Sequence, residues 1–184
     1  IDPEREAMVS DLQKNLIQGD LAMLKRRKNT SKGPRRDNII LGKELAQKLG
    51  VQVDDAISMI SPASRLTPMG LVPKIKLFQV VGFFESGMFE YDSSLAFISV
   101  ESAQRFFSMK KTVSGVEIRV NDIDRADKIA ESLQENLGFP YYARDWMRMN
   151  KNLFSALRLE KIVMFIILIL IILVAAFNIV STLF

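Results

Sequence analysis

The first fifty residues carry short apolar patterns that predict small helices and a strand. After Asp2 and Pro3, apolar residues recur at a spacing of four, which predicts a helix that Asp2 caps and Gly19 ends. The apolar run Asn38–Gly42 predicts a short strand. The following segment, Lys43–Gly50, predicts a helix that stops at its terminal glycine.

Two predicted strands enclose an unusual segment. Asp55–Ser61 and Lys74–Phe84 have strand patterns, and residues 62–73 connect them. This connection is longer than the common hairpin loops of about two to five residues. Its turn-forming residues are Pro68, Gly70 and Pro73, and its apolar residues are Leu66, Met69, Leu71 and Val72. We therefore expect a long projecting hairpin with an apolar tip and strands that end near the prolines.

The next segment continues the alternation of elements. Residues 85–94 predict a polar and aromatic turn, and residues 95–100 predict a strand. Residues 101–107 predict a short helix, which Ser99 can cap.

A β-α-β unit is predicted after this helix. Residues 113–120 alternate apolar and polar side chains as a strand does. An amphipathic helix follows, which Asp122 or Asp124 caps and Gly138 ends, and residues 141–144 predict a second strand. The fold class is therefore α+β, with helices and strands packed as a mixed domain.

The C-terminal pattern predicts one long helix. Asp145 opens it, and neither glycine nor proline interrupts the sequence from Trp146 to Phe184. Residues 162–184 contain no charge and would span roughly 34 Å as a helix, against about 30 Å for a bilayer core. The predicted organisation is a soluble domain over residues 1–145, an amphipathic connecting helix over 146–161 and the start of a transmembrane helix over 162–184.

Composition narrows the functions that this chain can have. With 25 Lys and Arg against 21 Asp and Glu, the net charge of +4 is too balanced to indicate nucleic-acid binding. A basic run at residues 25–37 can attract anionic lipid heads or an acidic partner, although a solvated loop is the simpler interpretation.

The chain lacks the residues of the common catalytic and metal sites. It has no cysteine and no histidine, which excludes disulfides, zinc–thiolate sites and Ser-His-Asp or Cys-His catalysis within this sequence. Its paired acids, Asp54–Asp55 and those at 122–127, border a strand and begin a helix, where carboxylates are common. We therefore expect a binding or mechanical module with no metal or cofactor of its own.

Four stretches, taken together and in order, resemble one family. They are SPASRLTPMGLVPKIKLFQVVGFFESGMFEYD from Ser61, the pair Asp145-Trp146, LFSALRLEK from Leu153 and VAAFNIVSTL from Val174. This combination resembles the LolC/LolE family, the membrane subunits of the lipoprotein-releasing ABC transporter, in the wider MacB-like class. The resemblance covers nearly the whole chain. It implies that residues 1 to about 160 are periplasmic and that the protein is a multi-pass protein of the bacterial inner membrane.

The resemblance also implies partners. A cytoplasmic LolD-like ATPase would bind and hydrolyse ATP, and a second membrane subunit would complete a homo- or heterodimer. Lipoprotein cargo would leave the membrane lipid and pass to a periplasmic LolA-like chaperone. The long C-terminal helix, 146–184, would transmit the ATP-driven motion to the periplasmic domain.

The resemblance assigns the hairpin to one of these roles, and the apolar span suggests residues for others. The hairpin 62–76 corresponds to the hook, which binds the chaperone in LolC-type proteins. Its predicted chaperone-binding residues are Arg65, Leu66, Thr67, Pro68, Met69, Gly70, Leu71, Val72, Pro73, Lys74 and Lys76, with the charged ones at the rim. Met164, Phe165 and Leu168 are predicted to line the lipid or cargo path. Asn178 is predicted to make a polar contact within the membrane.

The sequence leaves several alternatives open. The hairpin could fold onto its own domain as a small satellite core instead of docking a partner. The subunit could be of the LolC type, of the LolE type or a single type that serves both roles. The same periplasmic domain could also belong to a MacB-like efflux subunit or a membrane-anchored regulator.

Overall fold

The computed structural model describes residues 1–25, 36–67 and 70–183, and for residues 62–67 and 71 it describes the backbone alone. The chain consists of two compact units, Ile1–Arg119 and Val120–Phe184. The first contains α1 (Pro3–Val9), β1 (Leu16–Gln18), β2 (Asp37–Gly42), α2 (Lys43–Leu49), β3 (Ala56–Thr67), β4 (Gly70–Phe84), α3 (Phe89–Ser94), β5 (Ala96–Ile98) and α4 (Val100–Phe107). The second contains α5 (Ala126–Leu137), α6 (Trp146–Met149) and α7 (Lys151–Leu183). The predicted mixed α/β class with a long apolar C-terminal helix is confirmed.

The central strand of the sheet is β4. Its second half runs parallel to β2, from Asp37 opposite Phe78 to Gly42 opposite Phe84. On the far side of β2 lies the short antiparallel β5, and β1 pairs with the C-terminal end of β4. The first half of β4 pairs instead with β3, antiparallel, from Gln79 outward to Gly70. One strand therefore belongs both to the sheet and to a long hairpin.

Apolar side chains cover both faces of this sheet. Because side chains alternate along a strand, Ile40 lies in one cluster while Ile39 and Leu41 lie in the other. The first cluster also contains Leu12, Leu21, Leu24, Val81 and Phe84, and the second contains Ala46, Phe78, Val80 and Phe106. Each fully buried large side chain contributes about 1.5–3 kcal/mol, so β2 and the second half of β4 form the stable part of the unit.

The first predicted helix is shorter than its pattern suggests. Asp2 caps α1 and Pro3 begins it, as expected, but the helix ends at Val9 and Ser10 is extended. Leu12 then packs in the core, and Leu16 starts a strand opposite Phe84. The prediction that this helix runs to Gly19 is wrong because pairing with β4 overrides the helical spacing.

The hairpin strands extend through the prolines that are expected to end them. Ser61 lies opposite Lys74 and Arg65 opposite Val72, so three residues of β3 face one residue of β4. Pro62 lies within this bulge, and such irregularities on a two-stranded ribbon tolerate residues without an N–H. Pairing continues to Thr67 opposite Gly70. The unpaired connection is therefore shorter than the predicted 62–73.

Three other predictions for local structure are corrected. Residues 85–94 contain the helix α3 and not only a turn. Residues 113–120 and 141–144 are not strands in the described chain, so the helix α5 is present without the predicted β-α-β unit. Alternating patterns specify a strand only where a neighbour supplies the hydrogen bonds.

The long C-terminal helix is interrupted once. Asn150 leaves the helical conformation, its side-chain amide donates to the carbonyl of Trp146 at 2.8 Å, and α7 starts at the next residue. The prediction of an unbroken helix from Trp146 is therefore wrong, because Asn150 separates α6 from α7. From Lys151 to Leu183, α7 is long and apolar enough to cross a membrane.

Close backbone contact between β1 and β4 gives a test of the fold. A Cβ atom on Gly82 would lie 2.3 Å from the carbonyl oxygen of Gln18, whereas one on Gly115 would meet nothing within 4 Å. We expect Gly82→Ala to lower the free energy of unfolding by about 2–4 kcal/mol, because the backbones must separate. Gly115→Ala should change it by less than about 1 kcal/mol. Urea titration of the two variants measures both values, and equal effects would contradict the register.

Candidate partner-docking hairpin

The part of the hairpin that extends past β2 forms an arm, defined here as residues 58–67 and 70–77. Cross-strand register assigns its side chains to two faces, because residues directly opposite each other share a face. Met59 pairs with Lys76 and Ser61 with Lys74, and these four residues form the inner face. Ile60 pairs with Ile75 and Ser58 with Leu77, and these four form the outer face.

The inner face is attached to β2 and α4 by hydrogen bonds from its two lysines. The Lys76 ammonium donates to the Asp37 carboxylate, and Arg105 Nη2 donates to the other oxygen of that carboxylate at 2.9 Å. Lys74 Nζ donates to the Arg105 carbonyl at 3.1 Å and to Ser108 Oγ at 2.9 Å. A cation at the C-terminal end of a helix is favoured by the exposed carbonyls there. The two lysines therefore connect the arm to its own domain.

The cluster around Asp37 consists of a buried carboxylate with more exposed cations, since the Arg105 side chain is 41% exposed. The Asp37 side chain is only 4% exposed and that of Lys76 is 27% exposed. Burial raises the pKa of Asp37, but the hydrogen bonds from Lys76 and Arg105 outweigh this effect, so the pKa lies below its usual value. Beneath the ions, the Phe78 and Phe106 rings meet edge to face with centroids 5.9 Å apart.

The outer face is apolar and open to solvent. Ile60 and Ile75 are 61% and 60% exposed, and Leu77 is also exposed. Ile60 and Ile75 lie opposite each other across the strand pair, so their side chains form one exposed apolar surface. The arm thus has one face attached to the domain and one face available for contact.

The structure describes the predicted docking residues unequally. Pro68 and Met69 lie outside the described residues, and only the backbone is described for Arg65, Leu66, Thr67 and Leu71. Gly70 has a φ of +112°, a conformation that favours glycine, and Val72 and Pro73 are exposed. Lys74 and Lys76 lie on the inner face, where their contacts favour an anchoring role; the predicted rim role stays a prediction.

The predicted membrane residues all lie on α7. Met164, Phe165 and Leu168 are exposed, and the backbone carbonyl of Asn178 accepts a hydrogen bond from the Thr182 hydroxyl. Their roles toward lipid, cargo and another helix stay predictions.

Some residues of this site are not found from the sequence. Asp37 ends a basic run and Arg105 lies in a short helix, so nothing in the local sequence signals that they meet. The outer face does leave a signal, since Ile75 and Leu77 alternate with lysines, but the pattern alone does not tell which face is covered.

The sequence of this chain is similar to those of known membrane proteins. Residues 15–136 match the model of the MacB-like periplasmic core domain. A "Lipoprotein-releasing system transmembrane protein LolC" of Xylella fastidiosa is 41% identical over 180 residues, which is 98% of this chain and 41% of that protein. The LolC protein of Neisseria meningitidis is 40% identical over 82% of this chain and 36% of its own length.

This chain belongs to the LolC/LolE family. A LolE protein of Haemophilus influenzae also matches, at 27% identity over 83% of this chain and 37% of its own length. The chain spans about two fifths of the length of the LolC relatives. The resemblance to this family that the sequence motifs predict is confirmed.

The charge on Asp37 predicts a pH-dependent contribution to stability. Because its folded pKa is below the unfolded value of about 3.9, the stabilisation is present above that pH and is lost as the pH falls through the folded pKa. We expect Asp37→Asn to cost about 1–3 kcal/mol at pH 7 and progressively less below about pH 4. Thermal unfolding of both proteins across this range measures the difference. A difference that stays constant down to about pH 3 would contradict the ion-pair assignment.

Proposed function

We propose that the protein is a membrane subunit of a lipoprotein-releasing ABC transporter in the bacterial inner membrane. The observation that carries this proposal is the 41% identity to a LolC protein over 98% of this chain. The apolar helix α7 supports a membrane location, and the MacB-like core domain supports a periplasmic position for residues 1 to about 160. The subunit itself is non-catalytic, and ATP is hydrolysed by a separate LolD-like subunit.

The proposed role of the hairpin arm is to dock a LolA-like periplasmic chaperone that receives the lipoprotein. Three features of the arm support this role. It extends past the sheet, its inner face is already bonded to the domain, and its outer face is apolar and exposed. Such a surface suits a protein that binds lipid, because apolar side chains can enter an apolar groove. Each would contribute up to about 1.5–3 kcal/mol before ordering costs.

The contacts of the arm also limit how its charged residues could assist docking of the chaperone. Lys74 and Lys76 are engaged with α4 and Asp37, so reversing their charge would disturb the position of the arm and the field at its rim together. The steering role that the sequence predicts for Arg65 stays a prediction.

The proposed coupling element is the C-terminal helical region. ATP-driven motion would pass along α7, and the interruption at Asn150 would act as a hinge between α7 and the residues before it. Hinges of this kind absorb or redirect a rotation without loss of the helix on either side.

Docking is tested with the full-length transporter in lipid nanodiscs and the purified chaperone. We expect Ile75→Asp, on the outer face, and Met69→Asp, at the tip, each to weaken binding by about 10–100-fold, because a desolvated carboxylate replaces an apolar contact. Val116→Asp is the matched control, since Val116 is 80% exposed but lies outside the arm. Wild-type binding that both arm variants retain would contradict docking by this hairpin.

The transport activity has its own test. Proteoliposomes that contain this subunit with its ATPase and a second membrane subunit should release an acylated lipoprotein to the chaperone only when ATP is hydrolysed. Omission of this subunit should abolish release. Export of a small molecule, with no release of lipoprotein, would instead favour the efflux alternative.

A further inference from the structure

We propose that Asp37, Lys76 and Arg105 are positioning residues that hold the hairpin arm at a fixed angle to the sheet. The proposal concerns the arm of the free protein, and only its consequence for docking rests on the proposed function. It depends on how three separate elements meet at the point where the arm leaves the sheet.

The arm needs such support because its own pairing is weak. Beyond Phe78, which lies opposite the first residue of β2, the described part of β4 is paired with β3 alone. Two-stranded hairpins are marginally stable by themselves and twist freely. The bulge between Ser61 and Arg65 adds a further irregularity above this point.

The cluster lies at the base of this ribbon. Asp37 is the first residue of β2, beside Phe78, so its carboxylate is fixed by the sheet. Lys76 approaches it from the arm and Arg105 from α4. Arg105 is itself oriented, because Nη2 also donates to Ser102 Oγ at 3.0 Å. Ser102 in turn contacts the Ser99 hydroxyl, which caps α4.

A second contact prevents the arm from turning about the first. Lys74, two residues further out and on the same face, donates to the C-terminal end of α4 through the Arg105 carbonyl and Ser108. Two points of attachment along one strand define a direction, whereas one point would leave a pivot. Phe78 and Phe106 fill the space beneath, so the arm cannot move inward.

Partial burial of the cluster favours the state in which the arm is attached to the domain. Removing Lys76 from the buried carboxylate would leave a desolvated charge with one partner fewer, which is costly compared with losing an exposed ion pair. The arm is therefore presented in one orientation before any partner arrives. On the proposed function, this lowers the ordering cost of docking, because the outer face and tip are already placed.

The test uses hydrogen exchange of the full-length protein in lipid nanodiscs. In Lys76→Met, we expect the amides of residues 58–61 and 74–77 to exchange about tenfold faster, because the arm detaches. The amides of Ile39–Leu41, in the sheet, should keep their wild-type rates. Lys76→Arg retains the cation and should stay within about twofold of wild type.

Lys43→Met is the matched control. Lys43 donates to Glu85 at 2.7 Å and forms an exposed ion pair just beyond the other end of β4, so its loss should leave the arm unchanged. Equal rates in Lys76→Met and wild type would overturn the proposal. So would equal acceleration in Lys76→Met and Lys76→Arg, or acceleration of Ile39–Leu41 as large as that of the arm.

Chaperone binding to the same preparations separates this inference from the proposed function. We expect Lys76→Met to bind about three- to tenfold more weakly than wild type, with its tip sequence intact. If the wild-type protein binds no chaperone, the proposed function fails, while the exchange rates still decide whether the cluster positions the arm. The Lys76 variants carry the decision, because Lys76 is partly exposed and its replacement leaves the first residue of β2 intact.

Discussion

The architecture of the first unit depends on β4 being longer than the strand beside it. Its 15 residues pair with β2 only over the C-terminal half, which is buried on both faces. The other half must therefore leave the sheet, and it can do so as a strand only because β3 satisfies its backbone groups. A projecting hairpin is thus a direct consequence of unequal strand lengths around one shared strand.

The contacts at the base of the hairpin then determine the angle at which it is held. Apolar contacts are non-directional and would allow several angles for a ribbon that extends from them. Directional contacts begin where the apolar ones end, at Phe78, because the inner face changes there from phenylalanine to lysines. Hydrogen bonds to ionised groups have preferred geometry as well as strength.

Local sequence signals predict much of this fold, and the remainder depends on which distant segments of the chain pair with each other. The cap at Asp2, the glycine end of α2 at Gly50 and the Ser99 cap of α4 each act within a few residues, and the structure contains all three. Leu16 is a strand residue because Phe84, far along the chain, lies opposite it. No local pattern contains that information. The same reason explains why the sequence predicts the hairpin but not the meeting of Asp37, Lys76 and Arg105.

The proline pattern shows a subtler limit of sequence reasoning. Pro62 and Pro73 are expected to end the strands, because a proline removes a ladder hydrogen bond. A hairpin beyond the edge of the sheet has fewer bonds to lose, and the three-to-one bulge absorbs the mismatch. The prolines therefore do not prevent the arm. They restrict the backbone at the bulge instead, because a proline ring fixes φ.

The two faces of the arm together limit how a partner can be recognised. The lysines of the inner face are engaged with the domain, so a partner that approached this side would have to displace α4 from the arm. The outer face offers apolar groups and no charge among Ser58, Ile60, Ile75 and Leu77. Apolar surface gives affinity with little directional discrimination, whereas shape and fixed orientation supply specificity. On the proposed docking function, selectivity at such a hairpin would come largely from where the domain holds it, and the buried carboxylate at its base would contribute to recognition as the exposed side chains do.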